Sequence, residues 1–457
     1  MKKGYITVFF ALVFTVIMSF VLSVFQGVRI NAVRLKAECA VSVAENAVLS
    51  EYQPELLEMF DLFYVDTSYK SGNPDYHQVE NHLWKYIEKN EKTGLASVEV
   101  FEITMATDSR GVPFRKQISD YMEDKIGFSY VQELTGLFQT VSREGFLKDD
   151  LVVENRVDET WQNALTKSSE IPEKTWKKVE KFYPVDKSGS VRNSFLLHQV
   201  INDKTVISKK SVDVKSLVSN RECVVGTGTE DKLTFTDKIY FVGYVFDKFS
   251  YYKGETAENP LDYEIEYLIS GKNNDYDNLS AVASKLLLIK EGINLAYLMT
   301  DSEKMSLIKD ISAILAALVV CPELEPVLNV VFVGLWSYAE SVSDVKILLN
   351  GGKVPLMKTK ESWNTDLDSG FGIVERNNKQ DQKGMDYKQY LEMLLMFSSN
   401  EKLTFRCMDL MEMHIRRIKG NEEFRMDGCA GDFKINVVFE IPWFGSYQMV
   451  RRFGFFS

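Results

Sequence analysis

MKKGYITVFFALVFTVIMSFVLSVFQGV, residues 1–28, is the stretch on which the reading of this chain turns. After Lys2 and Lys3 no charged side chain occurs until Arg29, a run of 25 residues. At a rise of about 1.5 Å per residue, a helix of that length crosses a hydrocarbon core of about 30 Å with some tilt. A cleaved secretory signal has a shorter apolar core, about 7–15 residues, and Ser23-Val24-Phe25-Gln26-Gly27 makes a poor cleavage site. Within the run, Thr7, Ala11, Thr15, Ser19, Ser23 and Gly27 place a small residue at every fourth position. Such a ladder lets a partner helix approach closely in lipid; the plainer alternative is that small residues are common in membrane spans. The expectation is a single-pass cell-membrane protein whose ladder contacts membrane helices of an assembly. Lys2 and Lys3 before the run nearly balance Arg29, Arg34 and Lys36 after it, so charge alone does not orient the span. A short flank ahead of a long folded domain points to an extracytoplasmic ectodomain.

The helix is predicted to continue past the bilayer. Ile30, Val33, Ala37, Ala40/Val41, Ala44, Val48 and Tyr52 recur at steps of three and four, an amphipathic stripe. Gln53-Pro54 ends it, because proline cannot continue the hydrogen-bond ladder. Residues 1–53 therefore read as one helix of roughly 75 Å, its first half in lipid and its second packed on the ectodomain through an alanine-rich face.

The run GYITVFFAL, residues 4–12, resembles the N-termini of TadE- and TadG-type minor pseudopilins of tight-adherence (Flp) pili, and the long two-part helix is pilin-like. That resemblance implies cleavage of a short basic leader after Gly4, with Tyr5 as the new N-terminus. The fifth mature position, where polymerising pilins carry glutamate, is then Phe9. An apolar residue cannot neutralise a neighbouring subunit's amine, so an accessory role nearer the TadG type is implied, not that of a major filament subunit. Segments 47–69, 112–127, 261–272 and 338–358 are similar to an uncharacterised clostridial family of single-span proteins encoded near tight-adherence pilus genes. That second resemblance carries no assigned activity and no catalytic residues.

Composition bounds the remainder. A length of 457 residues leaves room for two or three domains beyond the anchor. Hydrophobic content of 45% and aromatic content of 12% suffice for packed cores. A net charge of −11 argues against a nucleic-acid partner. Cys39, Cys223, Cys321, Cys407 and Cys429 are widely spaced with no CxxC, so neither a zinc knuckle nor a disulfide scaffold is indicated. Cys407 and Cys429 flank the turn before the terminal strands; pairing and separate buried thiols are both open.

The fold class expected is α+β: a long N-terminal transmembrane, pilin-like helix followed by a mixed helical and antiparallel-sheet ectodomain. The boundaries are a membrane and juxtamembrane helix at 1–54, a largely helical region at 55–192, an α+β region at 193–363, a linker at 364–384, and C-terminal helices with a β-hairpin at 385–457. Helices are predicted at 78–89, from Pro113 towards Phe138, and at 276–299, 305–320, 324–349, 386–397 and 401–418. Residues 143–192 read as an exposed helical segment and linker. Strands are predicted at 97–105, at 433–441, where Phe433, Ile435, Val437, Phe439 and Ile441 alternate with polar residues, and at 446–456. Residues 235–249 read as strand-like or as a strand running into a short helix. In 261–269, Leu261, Tyr263, Ile265, Tyr267 and Ile269 alternate with Asp262, Glu264 and Glu266, which reads as a half-buried strand.

Few residues suggest chemistry. His77 and His82 are five apart, off the four-residue step that aligns two ligands on a helix. No HExxH, GxSxG, Walker A or dinucleotide-binding glycine pattern occurs. Gly226-Thr227-Gly228 reads as a turn, Gly351-Gly352-Lys353 as a helix cap and turn, and the Asp262/Glu264/Glu266 row as a solvated strand face. No catalytic, cofactor-binding or metal residues are assigned. The function expected is a non-catalytic, membrane-anchored accessory component of a tight-adherence pilus or related surface assembly. The alternative is a membrane-anchored extracytoplasmic hydrolase of unknown substrate.

Overall fold

The computed structural model describes residues 3–90, 94–144, 200–201, 207–229, 231–254, 258–318, 320, 322–366, 372–373, 384–441 and 445–455. In chain order the first elements are α1 (Lys3–Leu49), α2 (Pro54–Phe60), β1 (Val65–Asp66), α3 (Tyr76–Asn90), β2 (Leu95–Met105), α4 (Asp108–Lys125) and α5 (Phe128–Glu144). Helices α6 (Phe235–Lys248), α7 (Glu264–Ser270), α8 (Asp275–Thr300), α9 (Ser302–Leu318) and α10 (Glu325–Leu349) follow. The chain continues through β3 (Thr365–Asp366), β4 (Gly372–Ile373), α11 (Tyr387–Phe397), α12 (Asn400–Arg416), β5 (Cys429–Ile441) and β6 (Gly445–Gly454). The architecture is thus mixed helix and antiparallel sheet. Of the segment expected at 143–192, residues 145–192 lie outside the described residues, as does most of the 364–384 linker.

Two compact units divide the chain. The first comprises Met1–Gln117, Arg221–Leu233 and Met411–Ser457. Its sheet is centred on β5, which pairs antiparallel with β2 on one edge and with β6 on the other, β1 pairing with the first residues of β5. The alternation read from the sequence sets the two faces. Phe433, Ile435, Val437 and Phe439 are buried on one side, joined by Val100, Met105, Met449 and Phe453, with the Phe433 and Phe453 rings stacked 5.2 Å apart. Over this face lie α3, through Val79, Leu83 and Ile87, and the second half of α1, through Ala37, Ala40, Val41, Ala44 and Val48. Each fully buried valine or leucine here contributes about 1.5–3 kcal/mol, while the alanines matter mainly by letting the helix sit close.

Polar contacts fix the second half of α1 against its neighbours. Near its end, Glu51 accepts hydrogen bonds from the hydroxyls of Tyr69 (2.9 Å) and Tyr86 (2.6 Å) and lies 2.9 Å from His82 Nδ1. Tyr447 of β6 donates to Glu38 at 2.8 Å, with Arg34 over its ring. The first half differs. From Tyr5 to Val28 every residue is exposed. Among the described residues, α1 is the one helix long and apolar enough to cross a membrane, and none of its apolar window is buried in the protein. Its 47 residues span about 70 Å.

The second unit comprises Ile118–Asn220 and Thr234–Leu410, and among its described residues the regular structure is helical apart from the short β3–β4 ladder. Helix α8 packs along α10, and α9 joins them. Leu295, Leu298, Ile308, Val333, Trp336 and Trp363 form one of its apolar clusters. Elsewhere Phe138 of α5 meets Phe235 of α6 at 4.8 Å and stacks on Phe397 of α11 at 5.0 Å.

Three expectations are corrected. Residues 264–270 are helix, not strand, and Glu264 and Glu266 are fully buried instead of lining a solvated face. The Asp275 carboxylate takes the backbone N–H groups of Asp262 (2.9 Å) and Tyr263 (3.1 Å), and left-handed Gly271 ends the turn. Residues 235–248 are helix throughout, started by a capping box in which Thr234 accepts from the Asp237 N–H and Asp237 accepts from the Thr234 N–H. The helix read from Pro113 towards Phe138 is two helices, α4 and α5, parted at Ile126-Gly127.

Candidate functional site

The exposed half of α1 displays the ladder Thr7, Ala11, Thr15, Ser19, Ser23 and Gly27. Thr15 returns its hydroxyl to the Ala11 carbonyl at 2.8 Å, which satisfies the polar group without water. Steps of four advance about 40° each around a helix of 3.6 residues per turn, so the small residues trace a slanting ridge. The buried stripe below, stepping by three and four, runs nearly parallel to the axis.

A polar cleft of about 740 Å³ lies in the first unit, on the sheet face opposite the helices. Its floor is a cross-strand row in which Glu102 of β2 pairs with Lys434 of β5, and Lys434 with Arg452 of β6. Lys434 Nζ lies 3.0 Å from Glu102, and Arg452 Nε donates to Asp432 Oδ2 at 2.6 Å. The hydrogen bond and charge of Asp432 hold the Arg452 guanidinium above its ordinary range, with Glu102 and Asp231 adding to the effect. Asp432 is nearly buried, and its Oδ1 has no hydrogen-bond partner among the described residues.

Thr227, Gly228, Thr229 and Asp231 wall the cleft, just at and after the Gly226-Thr227-Gly228 turn read from the sequence. Thr227 lies along the edge of β2: its N–H and hydroxyl both donate to the Ile103 carbonyl (2.7 and 2.8 Å), and its Oγ1 accepts from the Ile103 N–H at 2.6 Å. Asp108 ties loop to strand by accepting from Met105 N (2.8 Å), Gly226 N (2.8 Å) and Gly228 N (3.2 Å). A Cβ at Gly226 would fall 2.3 Å from Asp108 Oδ2 and 2.5 Å from the Ile103 carbonyl, so only glycine fits. At the rim, Ser109 (φ 49°), Arg110 (φ 64°) and Gly111 (φ 78°) are three consecutive left-handed residues. The first two cost about 1–2 kcal/mol each, offset in part by Ser109 Oγ, which accepts from Thr229 N and donates to its carbonyl.

Two networks of buried ionisable groups lie elsewhere among the described residues. In the second unit Lys358 Nζ reaches Glu340 (2.5 Å), Asp344 (2.6 Å) and the Ser362 carbonyl, while Lys290 Nζ reaches Asp344 (3.2 Å) and the carbonyls of Pro355 and Leu356. Burial holds the Lys290 ammonium below its ordinary range. Burial also acts to lower Lys358, but Asp344 and Glu340 outweigh it and hold that group up. Together the two lysines strap residues 354–365 to α8 and α10. In the first unit Arg221 spans Glu412 and Asp427, and Asp427 also takes Arg425.

The other singled-out residues have structural partners. His77 pairs with Glu80 and His82 with Glu51. Gly351 (φ 89°) and Gly352 close α10 by donating to the carbonyls of Leu348 and Ile347, at the cap and turn expected there. Cys407 and Cys429 are buried thiols and form no disulfide. Among the described residues no three His, Cys, Asp or Glu side chains converge as metal ligands.

Fold and site together define a chain with one exposed apolar helix, a sheet unit carrying a polar cleft, and a helical unit without an open charged centre among the described residues. The chain belongs to DUF5702, a family of unknown function that matches residues 174–441, more than half its length. No curated protein and no solved structure matches it.

Proposed function

We propose that this protein is a membrane-anchored, minor-pseudopilin-like accessory component of a tight-adherence pilus or related surface assembly, non-catalytic, with its ectodomain outside the cytoplasm. The observation that carries the reading is the division of α1. Its first half is apolar and none of that apolar window is buried in the protein, and its second half buries an alanine-rich stripe on an antiparallel sheet. Exposing so much apolar helix to water is unfavourable by about 25 cal/mol per Å², so lipid or another helix must cover it. The slanting ridge of small residues supplies a surface for such a helix. Phe9 at the position of the filament glutamate favours an accessory role over that of a major subunit.

Topology is the test. Protease added to intact cells after wall removal is expected to degrade residues beyond 55 and leave a membrane-embedded fragment. Mass spectrometry of the mature protein should find Tyr5 at the N-terminus if a leader is removed. Full protection of the ectodomain until lysis, or a mature terminus at or beyond Gly27, would overturn the reading.

A further inference from the structure

We infer that Lys358 and Asp344 condense within the folded second unit into an intramolecular isopeptide bond, with Glu340 as the base that carries the proton. None of the three side chains has exposed surface. Glu340 and Asp344 stand one turn apart on α10, so both carboxylates face the strap that brings Lys358. Lys358 Nζ lies 2.5 Å from Glu340 Oε1 and 2.6 Å from Asp344 Oδ1. Nucleophile, electrophile and base thus share one dry site, and folding supplies the orientation that two separate molecules would lack.

The neighbours of the trio suit the reaction at both ends. Glu340 also accepts from the N–H groups of Asn364 (2.9 Å) and Thr365 (2.8 Å) and from the Thr365 hydroxyl (2.8 Å). Those donors keep it satisfied after the ammonium is gone. Asp344 Oδ2 faces Lys290 Nζ (3.2 Å) and Asn294 Nδ2 (3.3 Å), which steady the negative charge that grows there when the carbon is attacked. Lys290 is not the nucleophile, because beside Asp344 its partners are the carbonyls of Pro355 and Leu356, and neither can take its proton.

In the step, Glu340 takes one proton from the Lys358 ammonium and the freed amine adds to Asp344 Cγ. The nitrogen then gives up a second proton. Asp344 Oδ1 leaves with both protons as water, Glu340 ends unchanged, and nothing is oxidised or reduced. The product keeps its partners: the new amide N–H has the Ser362 carbonyl, 2.9 Å from Nζ, and the amide oxygen has Asn294. Condensation also removes two buried charges, each costly to hold out of water. This inference does not depend on the pilus reading.

Intact mass spectrometry of the denatured full chain, followed by peptide mapping, tests it. The chain should be one water lighter than its sequence counted from the observed N-terminus. The loss should map to a branched peptide that joins Lys358 to Asp344. Asp344→Ala and Glu340→Gln, each checked for folding by its melting curve, should restore the full mass. If neither variant folds, the mass and map of the parent decide. A parent at its full sequence mass would leave the trio an ordinary ion pair and overturn the inference. A branched peptide through Lys290, a lost water traced instead to Asp427-Gly428, or complete water loss in a folded Glu340→Gln would overturn it too.

Discussion

Glu266 shows at the level of one side chain how burial sets behaviour. Its Oε1 accepts from the Tyr387 hydroxyl (2.8 Å) and the Tyr252 N–H (3.0 Å), yet burial pushes its pKa up to about 7. Below about pH 4.5 the group is protonated in both folded and unfolded chains and costs nothing. Between there and about pH 7 the unfolded chain releases the proton while the folded chain keeps it, so stability falls as pH rises. Glu266→Gln, uncharged at every pH, should therefore gain about 2–3 kcal/mol over the parent at pH 8 and nothing at pH 4. Chemical denaturation at the two pH values checks this; an equal effect at both would show that ionisation is not the cause. The buried state of Glu266 was not legible in the sequence, because alternation of carboxylates with apolar residues normally marks a face in water. Here a hydroxyl from 121 positions away and a backbone N–H reach one oxygen of the buried carboxylate.

Elements with one wet and one dry face were the ones the sequence disclosed. β5 alternates because helices cover one side only, and the stripe from Ile30 to Val48 is visible because α1 rests on the sheet along one line. Helix α7 misled because its surroundings bury it all round, which erases the difference between periods of two and 3.6. The capping box at Thr234 and Asp237 was a readable helix signal for α6, outweighed by the β-branched and aromatic residues after it. The two geometries of α1 give a paired prediction. Ser19→Leu, on the exposed ridge, should weaken crosslinks to membrane partners without changing ectodomain stability. Ala44→Asp, in the buried stripe, should destabilise the fold by about 3 kcal/mol or more by placing a carboxylate in an apolar seam. Thermal melting of the full chain in detergent and crosslinking in membranes read the two effects. Unchanged crosslinks in Ser19→Leu would reduce the ladder to chance composition.

At the scale of the molecule, each unit is assembled from separated stretches: the first takes three segments, with residues 221–233 inserted between β2-proximal and C-terminal pieces. Sequence neighbours alone do not assemble the cleft wall, because Thr227 meets Ile103 across 124 residues. Gly226 and Gly228 were readable as turn residues, but what the turn leans on was not. The apolar helix, by contrast, was plain because its character is local. The proposed role rests on this helix placing the protein within a surface assembly. Affinity purification of the full-length protein from mildly solubilised native membranes, after in-cell crosslinking, tests it most directly. Tight-adherence pilus components are expected to co-purify with the parent and to be depleted with Ser19→Leu. Recovery of the protein alone from crosslinked membranes, or with the same unrelated proteins whatever the ladder residue, would contradict it.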